Sequence, residues 1–153
     1  MTFTNFFVGL PVTLLCLIAQ AATAFWSVRY FMRHIGEIQD ADRLLRCIRP
    51  LLTAMLVMML GNLVQISLWG ALFVLLGEFD AMYPAIYHSA VNFSSLGYGD
   101  VVMSNKWKLL GPLEAVNGVL MLGMSAAALM AILQEVIRVQ RVRAERTIAQ
   151  STK

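Results

Sequence analysis

Seven consecutive residues, Ser94-Ser95-Leu96-Gly97-Tyr98-Gly99-Asp100, carry the most specific chemistry in the chain. Glycine reaches positive φ at no steric cost, so Gly97 and Gly99, flanking Tyr98, let successive carbonyl oxygens turn toward one axis. A row of such oxygens can replace the hydration shell of a dehydrated cation. The Ser95 hydroxyl offers a further oxygen, and Asp100 ends the run with a carboxylate. This is coordination chemistry, not bond making. The chain holds no G-x-x-x-x-G-K-[ST] phosphate loop, no G-x-S-x-G elbow and no H-E-x-x-H helix, so it does not read as an enzyme. Two histidines, His34 and His88, and two cysteines, Cys16 and Cys47, give neither a metal-ligand spacing nor a disulfide framework, and no cofactor is expected.

A loop of this kind needs apolar elements to hold it at membrane depth. Of the 153 residues 59% are hydrophobic and only 14% charged, and the mean hydropathy is +0.69. A soluble domain of this length needs more polar surface than that to cover its core, so the class is an all-α integral membrane protein. Three runs lack any charge: 1–28, 50–77 and 115–134. At about 1.5 Å per residue each reaches the ~30 Å of a hydrocarbon core. Pro11 can kink the first. Its neutral amino end, followed by Arg29 and Arg33, reads as a retained anchor and not as a cleaved signal. Pro50 suits the first turn of the second span and Gly77 its end. Asn62 and Gln65 share one face of it, where hydrogen bonds to another helix are expected.

Residues 78–114 are too polar to span, yet Met82, Ile86, Tyr87, Ala90, Val91 and Phe93 form a short apolar helix pattern. This predicts a re-entrant helix ending near Phe93 and handing the chain to the glycine loop, which returns through Asp100, Lys106 and Lys108. Non-helical backbone at that depth needs cover from protein or an aqueous path, and such a loop has both.

The basic residues mark topology. Arg29, Arg33, Arg43, Arg46 and Arg49, beside Glu37, Asp40 and Asp42, form one cluster, and Arg138, Arg141, Arg143, Arg146 and Lys153 form another. The positive-inside rule puts both in the cytoplasm, with the amino terminus outside and the carboxyl terminus inside. The net charge of +3 therefore does not imply nucleic acid, and no aromatic platform accompanies it. The partner expected is the lipid bilayer. Arg138, Arg141, Arg143 and Arg146 could bind anionic lipid or simply anchor the helix end. The chain divides into an amino-terminal span with its basic loop, 1–49, a pore module, 50–137, and a basic tail, 138–153.

The loop resembles the pore signature of potassium channels, usually written T-T-V-G-Y-G-D, and the resemblance covers roughly 78–133 with the second span as outer helix. The type is the bacterial two-span channel with one extra amino-terminal span, and this implies the bacterial inner membrane. The resemblance places the ion-selectivity filter on Ser95, Leu96, Gly97, Tyr98 and Gly99, with K+ held at Ser95, Leu96, Gly97 and Tyr98. Serine stands where the family has threonine, and Leu96 where it has valine or isoleucine, which loosens packing behind the filter. In the family the tyrosine packs outward against pore helices and the aspartate bonds behind the filter. Ser94 and Asp100 are thus filter-supporting residues, with Tyr87 or His88 as the partner of Asp100. Gly123, or failing that Gly118, matches the bending glycine of inner helices. In the family four loops surround one axis, which implies a homotetramer with cyclic symmetry.

The function so implied is passive, potassium-selective conduction. Two alternatives share these residues: a non-conducting membrane subunit that keeps the pore fold, and a weakly selective monovalent cation channel. The first span lies outside the resemblance and is expected to pack at the periphery; it carries no recurring arginines and is no voltage sensor.

Overall fold

In lipid every backbone N–H must find its partner within its own segment, so long apolar runs become helices. The computed structural model of the protein describes residues 2–39 and 44–151. Its elements are α1 (Thr2–Gln39), α2 (Leu44–Leu75), α3 (Met82–Phe93) and α4 (Leu110–Ser151). Three stretches are long and apolar enough to cross a membrane: Phe3–His34, Ile48–Leu75 and Leu110–Glu145. The protein is a multi-pass integral membrane protein, and regular structure among the described residues is helical throughout.

The helices overrun the uncharged runs at their ends. Arginine and glutamate are good helix formers, and α1 continues to Gln39 while α2 already begins at Leu44. The basic connection is therefore mostly helical. Pro50 stands seven residues into α2, not in its first turn, and there it removes the bond that an N–H would give the Arg46 carbonyl. Helix α4 starts at Leu110 and takes in Gly111, Pro112 and Glu114, which the charge pattern assigns to the polar stretch. Pro112 is tolerated because N–H groups of a first turn have no intrahelical partner. The basic tail continues α4 without a break to Ser151. Asp40, Asp42, Arg43 and Lys153 lie outside the described residues, as do the side chains of Glu37, Arg46, Cys47 and Arg146.

Helix α1 packs against both α2 and α4, and α3 is wedged between α2 and α4. Two cores result. One gathers Cys16 of α1, Trp69 and Phe73 of α2, Ala85 of α3, and Met103, Trp107 and Leu110. The other joins Phe31, Ala54, Ile132, Val136 and Val139. The first helix thus contributes to both cores. Its other face, with Phe3, Phe7, Ile18, Phe25 and Trp26, is exposed and suits lipid.

Lipid tails are as apolar as leucine, so association depends on close contact and interhelical hydrogen bonds. Both are present. A Cβ on Gly70 of α2 would stand 3.2 Å from the Ile86 Cα of α3, so only a missing side chain admits α3 here. Between α1, α2 and α4, the buried Gln65 donates to Gln20 (2.8 Å) and Gln20 donates to Ser125 (2.7 Å) and to the Met121 carbonyl (3.2 Å). The polar face of α2 expected from Asn62 and Gln65 is therefore used by Gln65 toward α1.

Candidate functional site

Helix α3 ends with its last carbonyls occupied. The Ser94 N–H and hydroxyl both donate to the Ala90 carbonyl (3.1 and 2.7 Å), Ser95 N–H to Asn92 (2.8 Å) and Leu96 N–H to Val91 (2.9 Å). Ser94 thereby closes the helix. Beyond this point the bonding stops: among the described residues, no carbonyl oxygen from Ser95 to Gly99 accepts a hydrogen bond.

The loop backbone alternates. Ser95, Gly97 and Gly99 have φ of 57, 60 and 73°, and no other residue of 94–100 has positive φ. Every second residue is thus in the left-handed region, which is free for glycine and costs serine roughly 1 kcal/mol. Glycines predict two of these three positions; Ser95 is the one that residue type does not announce. The whole run 94–100 is exposed in the single chain, including the apolar Leu96 and the ring of Tyr98.

Behind the loop stand the polar groups of α3. The Tyr87 hydroxyl donates to Asp100 Oδ2 over 2.7 Å, and Asp100 Oδ1 accepts the Val101 N–H at 3.0 Å. The Tyr87 bond holds the Asp100 carboxyl below the usual carboxylate range and pushes the Tyr87 phenol above its own. His88 is not the partner of Asp100. Its Nδ1 donates to the Val101 carbonyl at 2.9 Å, its ring lies against Phe73 and Phe79, and burial pushes it below the ordinary imidazole range. Farther along, Glu78 at the end of α2 accepts from both the N–H and the hydroxyl of Ser104, each at 2.6 Å. Lys106 lies 5.1 Å over the Trp107 ring.

Residue types and spacing do not single out three further groups. Glu114 of α4 is fully buried and accepts from Asn92 Nδ2 at 3.3 Å; its other oxygen is bonded to the Ser89 hydroxyl. Ser89 also donates to the Ile66 carbonyl of α2 at 2.8 Å. A buried carboxyl inside a membrane helix is the signal that could reveal them, once Leu110 and not Ala115 is taken as the helix start. The two candidate bending glycines of α4 differ. A Cβ on Gly118 would overlap the Phe93 carbonyl, whereas one on Gly123 would meet nothing within 4 Å.

A family model described as ion channel matches residues 61–135. Over that segment the chain is similar to ion channel proteins. The matched segment takes in the carboxyl-terminal part of α2 from Gly61, all of α3, the glycine loop and α4 as far as Glu135, while α1 precedes it. No curated protein and no solved structure matches the chain. Within the matched segment the loop offers unbonded carbonyl oxygens and a carboxylate. That donor set suits a cation and not an anion.

Proposed function

We propose that the chain is one subunit of a homotetrameric, potassium-selective channel. The observation that carries this reading is the loop itself: left-handed φ at every second residue of 95–99, with no internal hydrogen bond to any carbonyl oxygen of that run. Ser95, Leu96, Gly97, Tyr98 and Gly99 form the filter, and K+ passes along their oxygens without chemical change. Helix α3 is the re-entrant pore helix, and its carboxyl end directs a partial negative charge toward the entering cation. The exposure of Leu96 and Tyr98 in one chain supports the tetramer, since an apolar loop at membrane depth needs cover from its neighbours. The amino terminus and the filter mouth face outward. The arginines at the other ends of α1 and α4 face the cytoplasm of a bacterial inner membrane. Arg138, Arg141, Arg143 and Arg146 meet the anionic headgroups there.

The test is a reversal potential in planar bilayers under opposed potassium and sodium gradients, with Gly97→Ala alongside. Alanine at a φ of 60° carries the left-handed cost of roughly 1 kcal/mol in every subunit. A potassium-directed potential in the wild type, abolished in the variant, is the result expected. A potential near zero with currents that the variant abolishes identifies a non-selective pore. Silence from an intact, folded tetramer under varied voltage, pH and lipid identifies a non-conducting subunit.

A further inference from the structure

Glu114 lies in the wall of the pore module, where conduction asks for no carboxyl. It is fully buried, and among the described residues no Lys or Arg pairs with it; the ion pair present is Arg138 with Glu135. The titratable neighbours are Cys16 of α1 and, through Asn92, His88 of α3; α2 presents only the Ile66 carbonyl, through Ser89. An isolated carboxylate in such a place is costly.

Counting hydrogens resolves how it is accommodated. The Ser89 hydroxyl has one hydrogen and two oxygen neighbours, the Ile66 carbonyl and Glu114 Oε1. A carbonyl can only accept, so Ser89 donates to Ile66 and must itself accept from Glu114. Asn92 Nδ2 has two hydrogens and two neighbours, Glu114 Oε2 at 3.3 Å and His88 Nε2 at 2.9 Å. It donates to both. His88 Nε2 is then an acceptor, its proton sits on Nδ1, and Nδ1 donates to the Val101 carbonyl. Each hydrogen is used once. The donations run outward from Asn92, through His88 to the Val101 carbonyl on one side and through Glu114 and Ser89 to the Ile66 carbonyl of α2 on the other.

We propose that Glu114, as the neutral acid, is a positioning residue for the filter: it closes the chain Ile66–Ser89–Glu114–Asn92–His88–Val101, which ties the backbone leaving the filter to both α2 and α4. The inference deepens the channel reading and rests on it for its functional consequence. Asn92 offers one hydrogen to the carboxyl and one to His88, so loss of the carboxyl frees the amide to turn and releases the imidazole that holds Val101. Glutamine at position 114 reproduces the pattern, since its NH2 donates to Ser89 and its oxygen accepts from Asn92. Alanine reproduces none of it.

The experiment uses the full chain in lipid vesicles as wild type, Glu114→Gln and Glu114→Ala. The infrared difference between wild type and Glu114→Gln at neutral pH should show the carbonyl stretch of a protonated carboxylic acid; carboxylate bands alone overturn the proposal. In a His34→Gln background, the His88 imidazole nitrogens should report one neutral Nδ1–H tautomer in wild type and Glu114→Gln and a mixture in Glu114→Ala. A tautomer unmoved by alanine overturns the positioning role. Potassium flux through Glu114→Gln should match wild type, while the conducting lifetime of Glu114→Ala shortens roughly tenfold, as expected when a buried polar group loses its partner. Equal losses in both variants overturn the proposal by making the charge, not the hydrogen-bond pattern, the active feature. A wild type that carries no flux defeats the channel reading instead, and the two spectroscopic results still decide the state of Glu114.

Discussion

Gln20 and Gln65 face one another across α1 and α2, with Gln65 Nε2 donating to Gln20 Oε1 over 2.8 Å and both side chains fully buried. The Gln20 amide passes the link on to Ser125 and to the Met121 carbonyl of α4, which stand two residues to either side of Gly123. A helix outside the matched channel domain is thus hydrogen-bonded to both long helices within it. Removing the Gln20 amide strands the Gln65 amide and leaves Ser125 only its bond to the Met121 carbonyl, and interhelical bonds of this kind contribute ~1 kcal/mol each in lipid. Gln20→Ala should therefore loosen α1 by about 1–2 kcal/mol. The buried Cys16 thiol, on the same helix, gives the readout: its reaction with a membrane-permeant maleimide in a Cys47→Ser background should accelerate several-fold. An unchanged rate would show that α1 is held by packing alone.

Gly118 and Gly123 of α4 should separate by substitution. A methyl group on Gly118 meets the Phe93 carbonyl, carbonyl carbon and Cα, all of them backbone that no rotamer change can move. Gly118→Ala should cost about 2 kcal/mol or more, as overpacking does, and lower the unfolding midpoint in mixed detergent micelles. Gly123→Ala meets open space and gains helix propensity, so the same measurement should stay level or rise by up to ~1 kcal/mol. If α4 bends at Gly123, that alanine lowers open probability without lowering stability. Equal destabilisation by both alanines would contradict the packing described.

Glu78 and Ser104 bind the connection that precedes α4 to the turn that follows α2 through two bonds to one carboxylate. Hydrogen bonds to charged groups contribute about 1.5–3 kcal/mol, so Glu78→Ala should raise the amide exchange rate of Ser104 by roughly tenfold or more. Exchange at Leu96, which is bonded to Val91 on the far side of the glycine loop, should not change.

The spans and the loop are legible in the sequence because each is a local pattern: uncharged runs of helical length, and glycines around a tyrosine. The helix ends are less so. Arginine and glutamate continue a helix as readily as leucine, so α1, α2 and α4 run past the charges that bound the apolar runs. Glu114 is hidden for the opposite reason. A glutamate reads as the edge of a polar segment, and only its contacts with Ser89 and Asn92, more than twenty residues earlier, let it lie inside α4. The Gln20 link joins residues 45 and 105 apart, a separation at which no spacing rule operates. Ser95 is a third kind of case: its left-handed backbone closes α3, with its own N–H bonded to the Asn92 carbonyl and the Leu96 N–H to that of Val91, against the preference of its own side chain.

The Tyr87–Asp100 bond sets a pH window. Asp100 has its carboxyl lowered by the Tyr87 hydroxyl, so the stabilisation is fully present above the ordinary carboxylate pKa and is lost as pH falls through the lowered folded value. Tyr87 has its phenol raised by the same bond, so its contribution is present below the ordinary phenol pKa and is lost as pH rises through the raised one. The pair should therefore be insensitive to pH between roughly 4 and 10, the two ordinary values, and fail outside that range. Recovery of ion flux after brief exposure to each pH, followed by return to neutrality, measures this against Tyr87→Phe and Asp100→Ala. Both variants should lower the plateau by the same amount, and the double variant should lower it no further, since each single change already removes the shared bond. Additive losses would mean that Asp100 supports the glycine loop through another group, with the Val101 N–H at 3.0 Å the first to examine.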